Sequence, residues 1–245
     1  MLQRLLMILS IFMTSVFAAY DKPLFEEYET TLKSVNNNRA VIDDSPSIVV
    51  GSGGIVMYLF ENEESMITAR ATVVSKNGTD AVLELTPFDT LVQKNFPRMS
   101  VTPKEGDIVK LNYLYNRSLL VTPNYESFKK ITDFFVDIEW IHPDIAAAFL
   151  AKRYIPNPDK KSFVELCNIN MTGLITFNIN NMGYFVDCTS FKVVKAFKIP
   201  VEGEEIVLPF YSRISDNVKT SPLVVIGNKN IENYGEYYRL LLGLK

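Results

Sequence analysis

At 245 residues, 47% hydrophobic and 22% charged, the chain has the apolar content to bury a core and is not a disordered tail. Its formal net charge of −3, with no basic block, argues against nucleic acid as a partner. A single histidine excludes a histidine-rich metal site and any two-histidine mechanism.

The first eighteen residues, MLQRLLMILSIFMTSVFA, read as a signal peptide. Arg4 gives the positive start, Leu5 to Phe17 the apolar run, and Val16 and Ala18 the small residues of a cleavage site. The run is shorter than the roughly 20 residues that a membrane span requires. The expectation is an exported, soluble mature chain beginning near Ala19, with no transmembrane anchor, in the periplasm or on the outer cell surface.

A polar stretch follows, Tyr20 to Ser47, read as an N-terminal arm with a loop at Asn36–Asn38. Strand patterns then dominate up to Val121. Gly51–Gly54, GSGG, precedes a strand rather than a helix and lacks the Lys-Ser/Thr of a phosphate loop, so it is a strand connection. In Met66–Ser75 the residues Ile67, Ala69, Ala71 and Val73 alternate with Thr68, Arg70 and Thr72. Asn77-Gly78 is a hairpin signal. Thr86–Pro97 reads as a short helix capped by Thr86 with Pro87 at its first position, and EGDIVKLNYL (Glu105–Leu114) as another strand.

Beyond Ser118–Val121 the pattern changes. A helix opens with Thr122 as its cap and Pro123 at its first position, with Tyr125, Phe128 and Ile131 as its apolar side. Asp133–Trp140 reads as a strand, HPDIAAAFLAKRY as a helix started by Pro143, and DKKSFVELCN as a third helix. GLITFNI and GYFVDC form a hairpin, and SFKVVKAFKI is an edge strand with Lys192, Lys195 and Lys198 on its wet face. In the last helix, Tyr234, Tyr237, Tyr238, Leu241 and Leu242 recur on one face, with Asn233 or Asn230 as cap and Gly243 as the exit. The expected class is α+β: a small β-barrel-like unit at 19–121, including the arm, followed by a layered α/β unit at 122–245.

Catalytic chemistry is hard to find in this sequence. His142 sits between Trp140 and Pro143 as a helix-start residue. Cys167 lies on an apolar helix face and Cys188 in a strand, neither placed to become a reactive thiolate. An oxidising compartment permits a Cys167–Cys188 bridge, yet each cysteine also fits a plain core position, and both alternatives stay open. No catalytic residue, metal ligand or cofactor is assigned, and an enzyme is the least favoured class.

LLVTPNYESFKKIT, IEWIHPDIAAAFLAK, NPDKKSFVELC and GLITFN…YFVDCTSFKVV together resemble the N-terminal domain of the plasminogen-binding surface proteins of certain Gram-negative bacteria. WIHPD and DCTSFKV are the most specific words, and the likeness extends more loosely over nearly all of the mature chain. The resemblance implies a cell-surface protein that captures host plasminogen, and it makes Trp140, His142, Pro143 and Asp144 a structural signature. It also implies a lysine contact, since the family's domain is often followed by a lysine-rich tail ending in lysine. In this sequence that role falls to Lys245, two residues after Gly243. As a last residue, it would offer an ammonium and a carboxylate together to the kringle modules of plasminogen. The alternative is an envelope structural or interaction module with a bacterial partner.

Overall fold

The computed structural model describes residues 23–88, 101–200, 203, 205–219 and 230–244. Its first sheet is built from β1 (Tyr28–Thr31), β2 (Ser34–Asn36), β3 (Arg39–Asp43), β4 (Gly53–Leu59), β5 (Ser65–Lys76), β6 (Asp80–Pro87) and β7 (Ile108–Leu111). The seven strands pair antiparallel in the order β1-β7-β4-β5-β6-β3-β2 and curl into a half-barrel. Period-two alternation gives the sheet its buried inner face. Ala69, Ala71 and Val73 of β5 point inward with Val56, Leu83, Val109 and Ile42, and all of these are buried. The hairpin at Asn77-Gly78 forms as its residues demand: Gly78 takes φ +91, and the Asn77 side chain accepts from the N–H groups of Thr79 and Asp80.

The second sheet holds β8 (Arg117–Val121), β9 (Glu139–Ile141), β10 (Leu174–Ile179), β11 (Met182–Asp187) and β12 (Val193–Lys198), in the order β12-β11-β10-β8-β9. β8 runs parallel to both β9 and β10, while β11 and β12 pair antiparallel. Both faces of this sheet are covered, so β10 is buried along its whole length, its polar Thr176 and Asn178 included. Leu119, Val121, Ile175 and Phe177 face one core with helices α2 (Pro143–Arg153), α3 (Lys160–Asn170) and α4 (Tyr234–Leu241). Leu120, Leu174 and Phe185 face another with Ile131 of α1 (Tyr125–Phe134).

The α+β expectation, with a small barrel and then a layered α/β unit, is overturned. Among the described residues the chain is mostly β, with twelve strands in two sheets and four short α-helices. Three of those strands lie in the stretch read as an arm. β1, β2 and β3 are three to five residues long and partly exposed, so they bury few apolar side chains and carry little pattern. Thr86 and Pro87 start no helix: they end β6, paired with Arg70 and Ala69. The remainder of the expected 86–97 helix, apart from Phe88, lies outside the described residues. Helix α1 is capped by Asn124 rather than Thr122, because the Asn124 side chain accepts from the Ser127 N–H at 2.9 Å. That helix continues to Phe134, so the strand expected from Asp133 shrinks to the three residues of β9. A cap residue with a following proline starts a helix at His142-Pro143 but ends a strand at Thr86-Pro87.

Candidate functional site

The seam between the two sheets holds the most deeply buried charge. Asp187, at the end of β11, accepts the N–H groups of Thr189 and Ser190 through Oδ1 and the Tyr115 hydroxyl at 3.0 Å through Oδ2. Tyr115 in turn accepts the Gly53 N–H at 2.9 Å. Burial pushes the Asp187 carboxyl above its usual range, and these donors hold it back. Gly53 is required here, because a Cβ at that position would stand 2.3 Å from Asp187 Oδ2. GSGG is therefore a close-packed strand entry. Arg70 crosses the same seam, donating to Asn168 Oδ1 at 2.9 Å and to Thr189 Oγ1.

Cys167 of α3 and Cys188, just after β11, are joined by a disulfide with 6.1 Å between their Cα atoms. Both cysteines line a small cavity on the seam, of about 210 Å³, with Met171 and Gly173 beside them. His142 is the N-cap of α2, and its Nδ1 accepts from the Asp144 N–H at 3.2 Å. Burial alone would raise the Asp144 carboxyl, but Arg213, bonding through its backbone N–H and its guanidinium, holds it low, with His142 adding to the effect. WIHPD is thus a built helix start. Among the described residues no three His, Cys, Asp or Glu side chains gather as metal ligands, and no described helix is long and apolar enough to cross a membrane.

The lysine surface divides by element. Lys192, Lys195 and Lys198 lie exposed on or beside β12, an edge strand, with Lys195 Nζ donating to the Leu24 carbonyl at 2.9 Å. On α4 the expected face forms: Tyr234 and Tyr238 are buried, Asn233 caps the start, and Gly243 leaves at φ +65 while the Leu244 N–H donates back to Arg239 O. Lys245 itself lies outside the described residues, as does the 1–18 segment. On α1 a row that sequence reasoning missed runs Tyr125, Lys129, Asp133. Ile131 is buried as expected, but Tyr125, expected beside it, is 50% exposed, and Ser127 shares the buried side instead. The four-residue spacing was the available signal, but it became legible only once the buried side was known.

These features sit on a chain whose residues 27–242 match the family described as "Plasminogen-binding protein pgbA N-terminal". The chain belongs to that family. Two relatives, both named plasminogen-binding protein PgbA, come from Helicobacter pylori. The one from strain J99 is 24% identical over 194 residues, covering 79% of this chain and 42% of the relative. The one from strain 26695 is 23% identical over the same coverage. The chain thus spans less than half the length of these curated relatives. The match begins inside the described structure, just before β1, and reaches through α4, so both sheets and all four described α-helices belong to the PgbA N-terminal family.

Proposed function

We propose that this chain is a non-enzymatic binding protein that captures plasminogen through lysine side chains. The observation that carries this is the family match across residues 27–242. Lysine fits as the contact because a kringle module recognises an ammonium with acidic groups and holds its methylene stem between aromatic walls. Within this reading Lys245 is one contact, carried just past the α4 exit at Gly243. Residues 1–18 serve as a cleavable export signal that brings the chain to the periplasm or the cell surface, where a host partner could be met only in the second case.

The test is capture of plasminogen on the immobilised chain, with and without 6-aminohexanoate, a lysine analogue. Binding that the analogue competes away supports the reading, and Lys245→Ala should then weaken it. Binding indifferent to the analogue removes the role of lysine. A second reading, an envelope module with a bacterial partner, is favoured by the short coverage of the relatives: 42% of their length leaves room for plasminogen contacts elsewhere in them. No capture by the intact chain would favour it.

A further inference from the structure

Taking lysine-dependent capture as the function, we propose that the exposed row of α1 is a second, internal kringle-docking element, with Lys129 supplying the ammonium and Asp133 the carboxylate. Residues four apart on a helix stand in one row. Tyr125, Lys129 and Asp133 occupy such a row on the outer side of α1, and a shallow groove runs along it to Phe134. The opposite side is anchored by fully buried Ile131 and by Ser127, and the Asn124 cap and the Trp140 indole N–H on Phe135 O fix the two ends. The row is therefore presented on a rigid element, which lowers the ordering cost of binding.

Exposure singles this pair out. The Lys129 and Asp133 side chains are 57% and 62% exposed, and they pair with each other one turn apart. Among the other described lysine–carboxylate pairs, Lys33 is held between Asp43 and Asp80, Lys110 between Glu27 and Glu29, and Lys76 against the mostly buried Asp44. Large exposed apolar residues flank the α1 pair, with Tyr125 at one end and Phe134 and Val136, 60% and 76% exposed, at the other.

An exposed pair is screened by water and opens readily for a partner. Opening it leaves an ammonium at the tip of a four-carbon stem and a carboxylate on the next turn, with about 5–6 Å between their Cβ atoms. Two opposite charges separated by a methylene stem are what a lysine zwitterion offers. A pocket with acidic groups for the ammonium, a basic group for the carboxylate and aromatic walls complements this row in sign and in apolar surface. An anionic lipid surface does not, because Glu126, Asp133 and Asp137 are exposed on or beside the same stretch.

The experiment measures plasminogen affinity for the intact chain and for Lys129→Ala, Lys129→Arg, Asp133→Asn and Lys33→Ala. Circular dichroism and the thermal midpoint confirm that each is folded. Lys129→Ala and Asp133→Asn should each weaken capture at least fivefold. Lys129→Arg should weaken it similarly, since a planar guanidinium does not replace a compact ammonium. Lys33→Ala should leave it unchanged. Capture within twofold of the unaltered chain for Lys129→Ala and Asp133→Asn overturns the proposal. So does full capture by Lys129→Arg, or an equal loss in Lys33→Ala, since either reduces the effect to net charge. If the unaltered chain captures no plasminogen, plasminogen binding itself fails and the α1 element falls with it.

Discussion

Asp187 and Asp159 are two carboxylates with opposite pH signatures. Burial raises Asp187, so the native state keeps its proton to a higher pH than the unfolded chain does. The stability it contributes is complete below the unfolded carboxyl value of about 3.9 and is lost as pH rises through the raised native value. Asp187→Asn keeps the shape and removes this titration. The midpoint advantage of the natural chain over the variant should thus be larger at pH 4 than at pH 7, as read by thermal melts. Asp159 is the N-cap of α3, and its pKa is lowered first by the Ser162 hydroxyl and then by the Ser162 N–H. Its contribution is present above the unfolded value and lost as pH falls through the native one. Asp159→Ala should cost about 1 kcal/mol at neutral pH in urea unfolding, with the difference shrinking towards acid.

At the scale of elements, α3 and α4 are held to the second sheet by different means. The Cys167–Cys188 bridge closes a loop with a sequence separation of 21, so replacing both cysteines by serine should cost about 3 kcal/mol in chemical unfolding. α4 depends on packing: the Tyr238 ring is fully buried against Phe177 and Phe163, and its hydroxyl donates to Pro209 O at 2.9 Å. Tyr238→Phe keeps the ring and strands that carbonyl, for an expected loss of about 1 kcal/mol in the same assay. Elements with local chemistry were legible in the sequence: α2 from His142-Pro143, the hairpin from Asn77-Gly78, and α4 from its tyrosine stripe. What escaped depends on distant partners. β1 to β3 exist because β6 and β7 accept them, and Pro87 ends a strand because Ala69 stands opposite. The parallel alignment of β8 with β9 and β10 leaves no local mark. The α1 row escaped for the same reason: Tyr125 fits an apolar stripe with Ile131 until the sheet takes Ser127 in its place.

At the scale of the whole molecule, the Gly53–Tyr115–Asp187 chain and Arg70 tie the half-barrel to the second sheet through buried or half-buried bonds. The two sheets should therefore unfold together. Calorimetry and circular dichroism are expected to give coincident transitions, and Tyr115→Phe, which strips the buried Asp187 and Gly53 of a partner, should lower the single midpoint without splitting it.

Phe25 packs against Tyr115 and Phe185, and the Leu24 carbonyl takes its bond from Lys195, 171 residues further on. β1 likewise pairs only with β7, through Tyr28 and Leu111. A chain made from its N-terminus onwards therefore completes the β1 pairing only when β7 is made, and the contacts of Leu24 and Phe25 only when β11 and β12 are made. Contacts between residues so far apart in sequence place folding among the slow topologies.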